Sequence, residues 1–495
     1  QVFLGSKAYH LKNLRIAGFP IPPGFVLTTE IFRRRKAILG HPELKKEMHD
    51  LIRKNLHFVE KGSRKQFGNP QNPLLLSVRS GSAISMPGAM DTFLNVGMND
   101  EITESLSKLP GFAWSAWDSY RRLLQSWGMA YGLSRDVFDE VMDTYKIEFK
   151  AEQKADLSPE SMKKIAFAYK NTLEKNNIFF EEDLFKQLIT TINLVFDSWS
   201  SERAKAYREH LEIADEWGTA VIVQRMVFGN IQKNSGTGVV FTQNPKKKKH
   251  GVNLYGDFTL QSQGEDIVAG LVKPLPVSNS QRSNSNEKEK TLQDLFPSIY
   301  KRIYQMSTEL IEEYGYSPQE IEFTFESENP DDLYILQTRD LDMAASQQVE
   351  IFSVPIEQMT MAGRGLGIGG SAMNGRIAFD LKDISKLRNQ YPGEMVILIR
   401  PDTVPDDISM IFETDGLLTG KGGATSHAAV TAVRLGITSV VNCTSLEVYE
   451  DKKKCRLNDF TFHVGDKIAI DGNLGNVYKG HYPIESEQNY TDFRY

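Results

Sequence analysis

The sequence predicts a multidomain protein of mixed α/β and α+β class, and three observations carry that reading. At 495 residues the chain is long enough for about three domains, each with its own core. Short apolar or alternating runs read as strands, while longer stretches repeat apolar residues at helical spacing. From Gly375 to Gly480 strands alternate with short helices, the pattern of a small α/β unit with its own core.

The elements follow in order along the chain. Gly18 to Leu27 reads as a helix end, a proline-fixed turn and a strand. Leu74 to Val78 is a short apolar strand running into Arg79-Ser80-Gly81-Ser82. Ala113 to Tyr131 has aromatic and aliphatic residues at helical spacing around Tyr120, Arg121 and Arg122, and residues from about 140 to 208 also read as helical. Ala220 to Val227 and Thr237 to Thr242 read as two strands joined by a glycine-containing hairpin loop. Ser278 to Lys290 lacks any apolar anchor and reads as a mobile surface insertion. Ile321 to Phe325 and Leu333 to Gln337 read as paired strands. The glycines at 363, 365, 367, 369 and 370 suit a linker or a turn into a new domain, whose strands are Met395 to Ile399, Gly416 to Leu418, Ser439 to Asn442 and Lys467 to Asp471.

Bulk properties narrow the function classes. Hydrophobic content of 40%, charged content of 25% and a net charge of -6 describe an ordinary globular chain with no basic face for a nucleic acid. Lys246 to Lys249 are read as a solvated loop. Cys443 and Cys455 supply neither a disulfide framework nor a metal-ligand spacing, which points to a reducing compartment. No apolar run is long enough to span a bilayer, so no membrane partner is expected. The first residue is Gln1 and not Met, which leaves room for a preceding segment. The expected compartment is the cytoplasm, or an organelle if such a segment carries a targeting signal.

Gly422-Gly423-Ala424-Thr425-Ser426-His427-Ala428-Ala429-Val430 holds the most specific chemistry. Two glycines make a tight approach, Thr425 or Ser426 can cap, and an alanine-rich run then reads as helix. His427 falls in the first helical turn, where free N–H groups and the helix dipole favour an anion, so a phosphoryl group on the imidazole would be stabilised there. A histidine packed at a helix start is the alternative. A second constellation lies upstream. Glu320 and Glu322 sit two apart on a strand and share a face, which suits Mg²⁺ as well as it suits a charged strand edge. Gln337-Thr338-Arg339 closes the next strand, and Arg339 can meet phosphate bidentately. Lys7 and Arg79 add positive charge, or are surface cations. The loop with Gly229, Ser235, Gly236, Thr237 and Gly238 can cover phosphates with backbone N–H groups or serve as a plain hairpin turn. It lacks a Gly-Lys-Ser/Thr opening a helix, so it is not a P-loop.

Taken together these segments resemble the pyruvate phosphate dikinase family, whose relatives include phosphoenolpyruvate synthase. The resemblance runs through Leu4-Gly5-Ser6-Lys7-Ala8, Ser77-Val78-Arg79-Ser80-Gly81, Ser85 to Asn95, Asp118 to Arg122, Gln224 to Asn230, Ser235 to Val239 and Gln261 to Asp266, and covers almost the whole chain. Gln243 departs from it, standing where the family usually has arginine. The resemblance implies an ATP-grasp nucleotide-binding domain over 1–340, with a helical subdomain at about 100–210 and a linker over 341–370. A small α/β swivelling phosphohistidine domain follows over 371–482, and 483–495 form a tail or a linker.

The resemblance also implies a chemistry. ATP with Mg²⁺, or Mn²⁺, is held by Lys7, Arg79, Glu320, Glu322, Gln337 and Arg339. His427 attacks the β-phosphorus and releases AMP; inorganic phosphate then removes the terminal phosphoryl group as pyrophosphate. The remaining phosphohistidine passes its group to pyruvate, forming phosphoenolpyruvate. The family's C-terminal phosphoenolpyruvate/pyruvate barrel is not in this sequence, so the acceptor site is expected on a missing domain or a partner chain, and the full-length form is expected to be a homo-oligomer. Thr425, two residues before the histidine, corresponds to a phosphorylation switch in plant-type relatives, or is simply an N-cap. Two other functions fit the same residues: transfer to another acceptor, such as an antibiotic or a partner protein, and a non-catalytic nucleotide-sensing or phospho-carrier module.

Overall fold

In a computed structural model, the structure describes the chain apart from residues 1–2, 85, 87–88, 152–153, 212, 245–250, 263–273, 283–289, 342–348, 369–370, 403–406, 422–431, 433–435 and 488–495. Its contacts divide into two compact units, 1–236 with 322–339, and 237–321 with 340–495.

The first unit opens with helix α1 (Gly5–Ile16), strand β1 (Gly24–Leu27), and helices α2 (Thr29–Gly40) and α3 (Pro42–Ser63). Strands β2 (Leu76–Gly81) and β3 (Thr92–Val96) follow. Then come α4 (Asp100–Ser107), α5 (Ala113–Ala130), α6 (Arg135–Phe149), α7 (Pro159–Lys175), α8 (Leu184–Asp197) and α9 (Glu202–His210). Strand β4 (Ala220–Arg225) returns the chain to a four-stranded sheet of order β1-β4-β2-β3. Val223 pairs with Phe25 on one side and Val78 on the other. Ala220 to Val223 are all buried, which explains why that run is continuously apolar and not alternating.

One core joins this sheet to the helices. Tyr120, Leu124, Trp127, Phe138 and Tyr169 are at most 1% exposed within it. α5 is buried on nearly every side and carries Asp118 inside. That carboxylate is held by Arg121 at 2.8 Å, Arg122 at 2.8 Å and Lys154 at 3.3 Å, so the buried charge is fully compensated.

The second unit holds β5 (Gly236–Phe241, whose first residue belongs to the first unit), β6 (Tyr255–Leu260) and β7 (Leu275–Pro276). Strands β8 (Gln319–Phe325) and β9 (Leu333–Asp340), whose residues 322–339 are counted with the first unit, stand in a five-stranded sheet of order β7-β6-β5-β8-β9, as the paired-strand expectation requires. The expected hairpin between Ala220–Val227 and Thr237–Thr242 does not form: β4 lies between β1 and β2, whereas β5 lies between β6 and β8. Both strands are buried on both faces, and each needs two strand neighbours of its own. The insertion reading also fails at its start. Ser278 is 3% exposed, and Gln281 binds the Gly256 backbone in both directions, at 3.2 and 2.8 Å. Polar side chains anchor this segment in place of apolar ones; residues 283–289 lie outside the described part.

Farther on, β10 (Val349–Phe352), β11 (Met361–Arg364), β12 (Leu366–Ile368) and β13 (Ala372–Ala378) are followed by a helix (Leu381–Gln390). Next are β14 (Val396–Arg400), β15 (Gly416–Thr419), β16 (Thr438–Val441), β17 (Leu446–Tyr449), β18 (Lys454–Leu457), β19 (Phe460–His463), β20 (Lys467–Asp471), β21 (Asn476–Lys479) and β22 (Ile484–Glu487). An eight-stranded sheet runs β11-β21-β20-β13-β14-β15-β16-β12, with β13 to β16 parallel at its centre. Alternate residues feed opposite faces: Ile397 and Ile399 enter one core, Val396 and Leu398 the other.

Two expectations are corrected in this unit. Gly363, Gly365 and Gly367 do not form a linker, because β11 and β12 are the two edges of the eight-stranded sheet; Gly369 and Gly370 lie outside the described residues. A Cβ on Gly363 would lie 2.1 Å from Leu457 Cδ2, and one on Gly367 would lie 2.5 Å from the Gly472 carbonyl. These three glycines are there for close approach, not for flexibility. The C-terminal segment is not wholly a tail either, since β22 pairs antiparallel with β10.

Candidate functional site

Lys7 lies near the start of α1, and a backbone contact sets that helix against β2. Gly5 has φ +75°, and a Cβ there would fall 1.9 Å from the Gly81 carbonyl, so only glycine allows the approach. The Ser6 N–H donates to the Ser82 carbonyl at 2.8 Å and locks the contact. Arg79, two residues before Gly81 on β2, is thereby brought into the neighbourhood of Lys7.

The Lys7 ammonium is the most perturbed group in this cluster. Burial is the main cause and the charge of Arg79 the next; Glu322 opposes them and Arg339 adds to them, leaving the pKa at about 8. Four ionisable groups, from α1, β2, β8 and β9, therefore share one electrostatic neighbourhood despite more than 300 residues of separation. Burial also lowers the Arg79 pKa, with Glu322 opposing. One Arg79 nitrogen, Nη2, donates to Gln224 Oε1 at 3.0 Å and to the Leu336 carbonyl at 3.0 Å. Its Nε is buried without a hydrogen-bond partner. In a field shared by Lys7, Arg79, Glu322 and Arg339, one buried donor is thus left over. An anion with several oxygens would satisfy that donor.

The other sequence-predicted residues are placed as follows. Glu320 is 7% exposed and two residues from Glu322 on β8; Gln337 is 6% exposed and two from Arg339 on β9. Among the described residues the Glu322 side chain forms no hydrogen bond and no ion pair within 4 Å, so its carboxylate oxygens remain available as ligands. Among those same residues no group of three or more His, Cys, Asp or Glu could hold a metal alone. Two carboxylates on one strand face fit a hard divalent cation only if phosphate oxygens complete its shell, which is how Mg²⁺ is usually bound beside a nucleotide.

Gly229 and Ser235 lie in the turn after β4, while Gly236, Thr237 and Gly238 are buried within β5. Ser235 is fully buried, and its hydroxyl donates to the Gln232 carbonyl and accepts from the Gln232 N–H. Among the described residues no hydrogen bond or ion pair joins residues 229–235 to Lys7, Arg79 or Glu322. His427 and Thr425, with the helix start expected around them, lie outside the described residues.

Sequence reasoning missed Gln224 as a site residue. It is 4% exposed, accepts from Arg79, and donates to the Pro22 carbonyl at 3.0 Å, so it orients the guanidinium. A polar residue inside the otherwise apolar run Ala220–Val227 was the available signal. Among the described residues no helix is long and apolar enough to cross a membrane.

Comparison with known proteins identifies the family. Residues 36–295 match the AMP/ATP-binding domain of pyruvate phosphate dikinase, and residues 392–475 match the mobile domain of PEP-utilising enzymes. The chain is 34% identical to pyruvate, phosphate dikinase of Clostridium symbiosum, over 98% of this chain and 57% of that protein. It is 35% identical to the protein of that name from Entamoeba histolytica, over 98% and 56%. It is 34% identical to the chloroplastic one from Flaveria trinervia, over 96% and 51%. The chain thus spans about half the length of the curated relatives it matches. By the extent of these matches and the residues that carry them, the chain belongs to the pyruvate phosphate dikinase family.

Proposed function

We propose that this chain binds ATP and carries a phosphoryl group on His427, as the nucleotide-handling half of a pyruvate phosphate dikinase reaction. The observation that carries the reading is that Lys7, Arg79, Glu322 and Arg339 share one field in which the buried Arg79 Nε is left without a hydrogen-bond partner. Residues 1–340 then form the nucleotide-binding part, with the helical subdomain at about 100–210. The eight-stranded sheet, with residues 371–482, forms the carrier part.

In this reading Lys7, Arg79 and Arg339 neutralise the triphosphate, and Gln224 holds Arg79 at a fixed angle. Gln337 donates to a phosphate or ribose oxygen. Glu320 and Glu322 would hold Mg²⁺, which, when bound, draws charge from the phosphate oxygens. The protein's task is positioning and charge neutralisation, the main requirements of phosphoryl transfer. Neutral His427 attacks the β-phosphorus; the bond to the α-phosphate oxygen breaks and AMP leaves. Inorganic phosphate next takes the terminal phosphoryl group as pyrophosphate, leaving one phosphoryl group on the imidazole. Pyruvate accepts it at a site outside this chain and becomes phosphoenolpyruvate.

The test is intact-mass analysis of the chain after ATP, Mg²⁺ and phosphate, with AMP and pyrophosphate measured in the same sample. A mass gain of one phosphoryl group, lost in His427→Ala while ATP still binds, is the expected result. An unmodified wild-type chain with no AMP formed refutes it. AMP without pyrophosphate would assign a synthase-like hydrolysis in place of dikinase chemistry.

A further inference from the structure

The turn that follows β4 is tied down by a residue to which neither the sequence nor the proposed chemistry gives a role. Glu326 comes directly after β8. Its Oε2 accepts from Arg225 Nη2 at 3.0 Å, its Oε1 accepts the Phe228 backbone N–H at 3.1 Å, and its own carbonyl accepts Gln232 Nε2 at 2.7 Å. Arg225 closes β4, and Phe228 and Gln232 lie in the turn beyond it, so one residue grips the end of β4 and two points of that turn. Two residues farther, Glu328 accepts the Asn234 side-chain amide. On its other flank the turn is held from α5, where Ser115 Oγ donates to the Asn230 carbonyl at 2.8 Å.

The ion pair at the centre of this clasp is well shielded, with Arg225 and Glu326 side chains 11% and 17% exposed. Arg225 also lies over the Tyr334 ring, 5.3 Å from its centroid, and so touches β9 as well as the residue that closes β8. A second cation, Lys65, is close enough for burial and Arg225 to lower its pKa while Glu326 raises it. The clasp is therefore charge-assisted and partly desolvated, the setting in which a hydrogen bond contributes most.

Its position along the strands gives it a functional consequence. Glu326 lies four residues beyond Glu322, a span of about 13 Å at the usual rise per residue. Residues 322–339 also carry Gln337 and Arg339. The turn is thus referenced to the same pair of strands that presents the nucleotide ligands. We infer that Glu326 is a positioning residue, which holds residues 228–235 at a fixed place relative to β8 and β9 and thereby sets the affinity for ATP. The inference rests on the nucleotide-binding reading above, not on the fate of the phosphoryl group.

Two measurements on the full chain test it: hydrogen exchange of the amides of residues 228–235, and ATP affinity by calorimetry in the presence of Mg²⁺. Glu326→Gln keeps the shape and removes the charge, so exchange in this segment and the Kd for ATP should each rise by roughly five- to tenfold. Gln232→Leu removes one grip from an exposed side chain that the fold does not need, and should raise both by about two- to threefold. Faster exchange with unchanged ATP affinity overturns the inference, as does unchanged exchange in both variants. Loss of His427 labelling with normal ATP binding in the wild-type chain strikes the proposed phosphotransfer alone. Absence of ATP binding by the wild-type chain overturns both readings.

Discussion

Raising the pH from 7 to 9 should weaken ATP binding by about tenfold, through a single group. Lys7 is charged below its pKa of about 8 and neutral above it. Binding a polyanion favours the ammonium form, so the affinity is fully present at low pH and is lost as the pH rises through that value. If only the charged form binds, the apparent Kd grows as one plus the ratio of neutral to charged Lys7. That factor is about 1.1 at pH 7 and about 11 at pH 9, which is about 1.4 kcal/mol of binding free energy. The phosphates of ATP are fully ionised across most of the window and do not imitate the effect. Calorimetry at pH 7, 8 and 9 in two buffers of different ionisation enthalpy checks both the Kd and the uptake of about half a proton at pH 8. Lys7→Met should bind weakly at every pH, with no slope. The reasoning is refuted by a wild-type Kd constant within twofold from pH 7 to 9, or by a slope that survives in Lys7→Met. Folding stability runs the other way. An unfolded lysine binds protons up to its ordinary pKa of 10.5. The unfolded chain therefore holds more protons between about 8 and 10.5, and stability rises with pH across that window.

Gly5→Ala places a methyl group against the Gly81 carbonyl and demands φ +75° of a residue with a Cβ. The backbone conformation alone costs roughly 1–2 kcal/mol. The start of α1 should lift from β2, lowering ATP affinity by about tenfold or more while the melting temperature falls by only a few degrees; calorimetry and thermal unfolding read the two effects separately. Asp118→Asn leaves the buried Arg121 and Arg122, and the half-buried Lys154, around a neutral amide. It should cost about 3–5 kcal/mol in denaturant unfolding. Those cations hold the Asp118 carboxyl well below the usual carboxylate range despite the opposing effect of burial. Its stabilisation is therefore present above the ordinary Asp pKa and is lost only as the pH falls below it, a loss that the Asp118→Asn variant should not show.

The elements most legible in the sequence were those whose signal is local. α5 spans Ala113–Ala130 where Ala113–Tyr131 was read, because one helix face after another enters the core and the aromatic spacing is strong. The parallel strands β14, β15 and β16 match three short β-branched or leucine-rich runs within a residue or two. Readings that depended on partners fared worse. β4 and β5 have bounds close to those read, but the glycine turn between them says nothing about which sheet each strand joins. Gly363, Gly365 and Gly367 look in sequence like a linker, whereas they allow two edge strands to pack against backbone and side chains with no room for a Cβ. Polar fixings such as Gln281 on Gly256 leave no apolar period to detect.

For the site, the sequence by itself determined which residue types were present: cations at 7, 79 and 339, carboxylates at 320 and 322, and a glycine-flanked histidine at 427. It also determined the family, since those motifs stand in order along nearly the whole chain. Only the tertiary structure decided that Lys7, Arg79, Glu322 and Arg339 share one field, that Gln224 aims the guanidinium, and that Glu326 clasps the turn after β4. The physical reason is range. Helical and strand periods are written in residues a few places apart, whereas a pKa near 8 or a buried unpaired nitrogen arises from groups hundreds of residues distant, brought together only when apolar strands between them are buried.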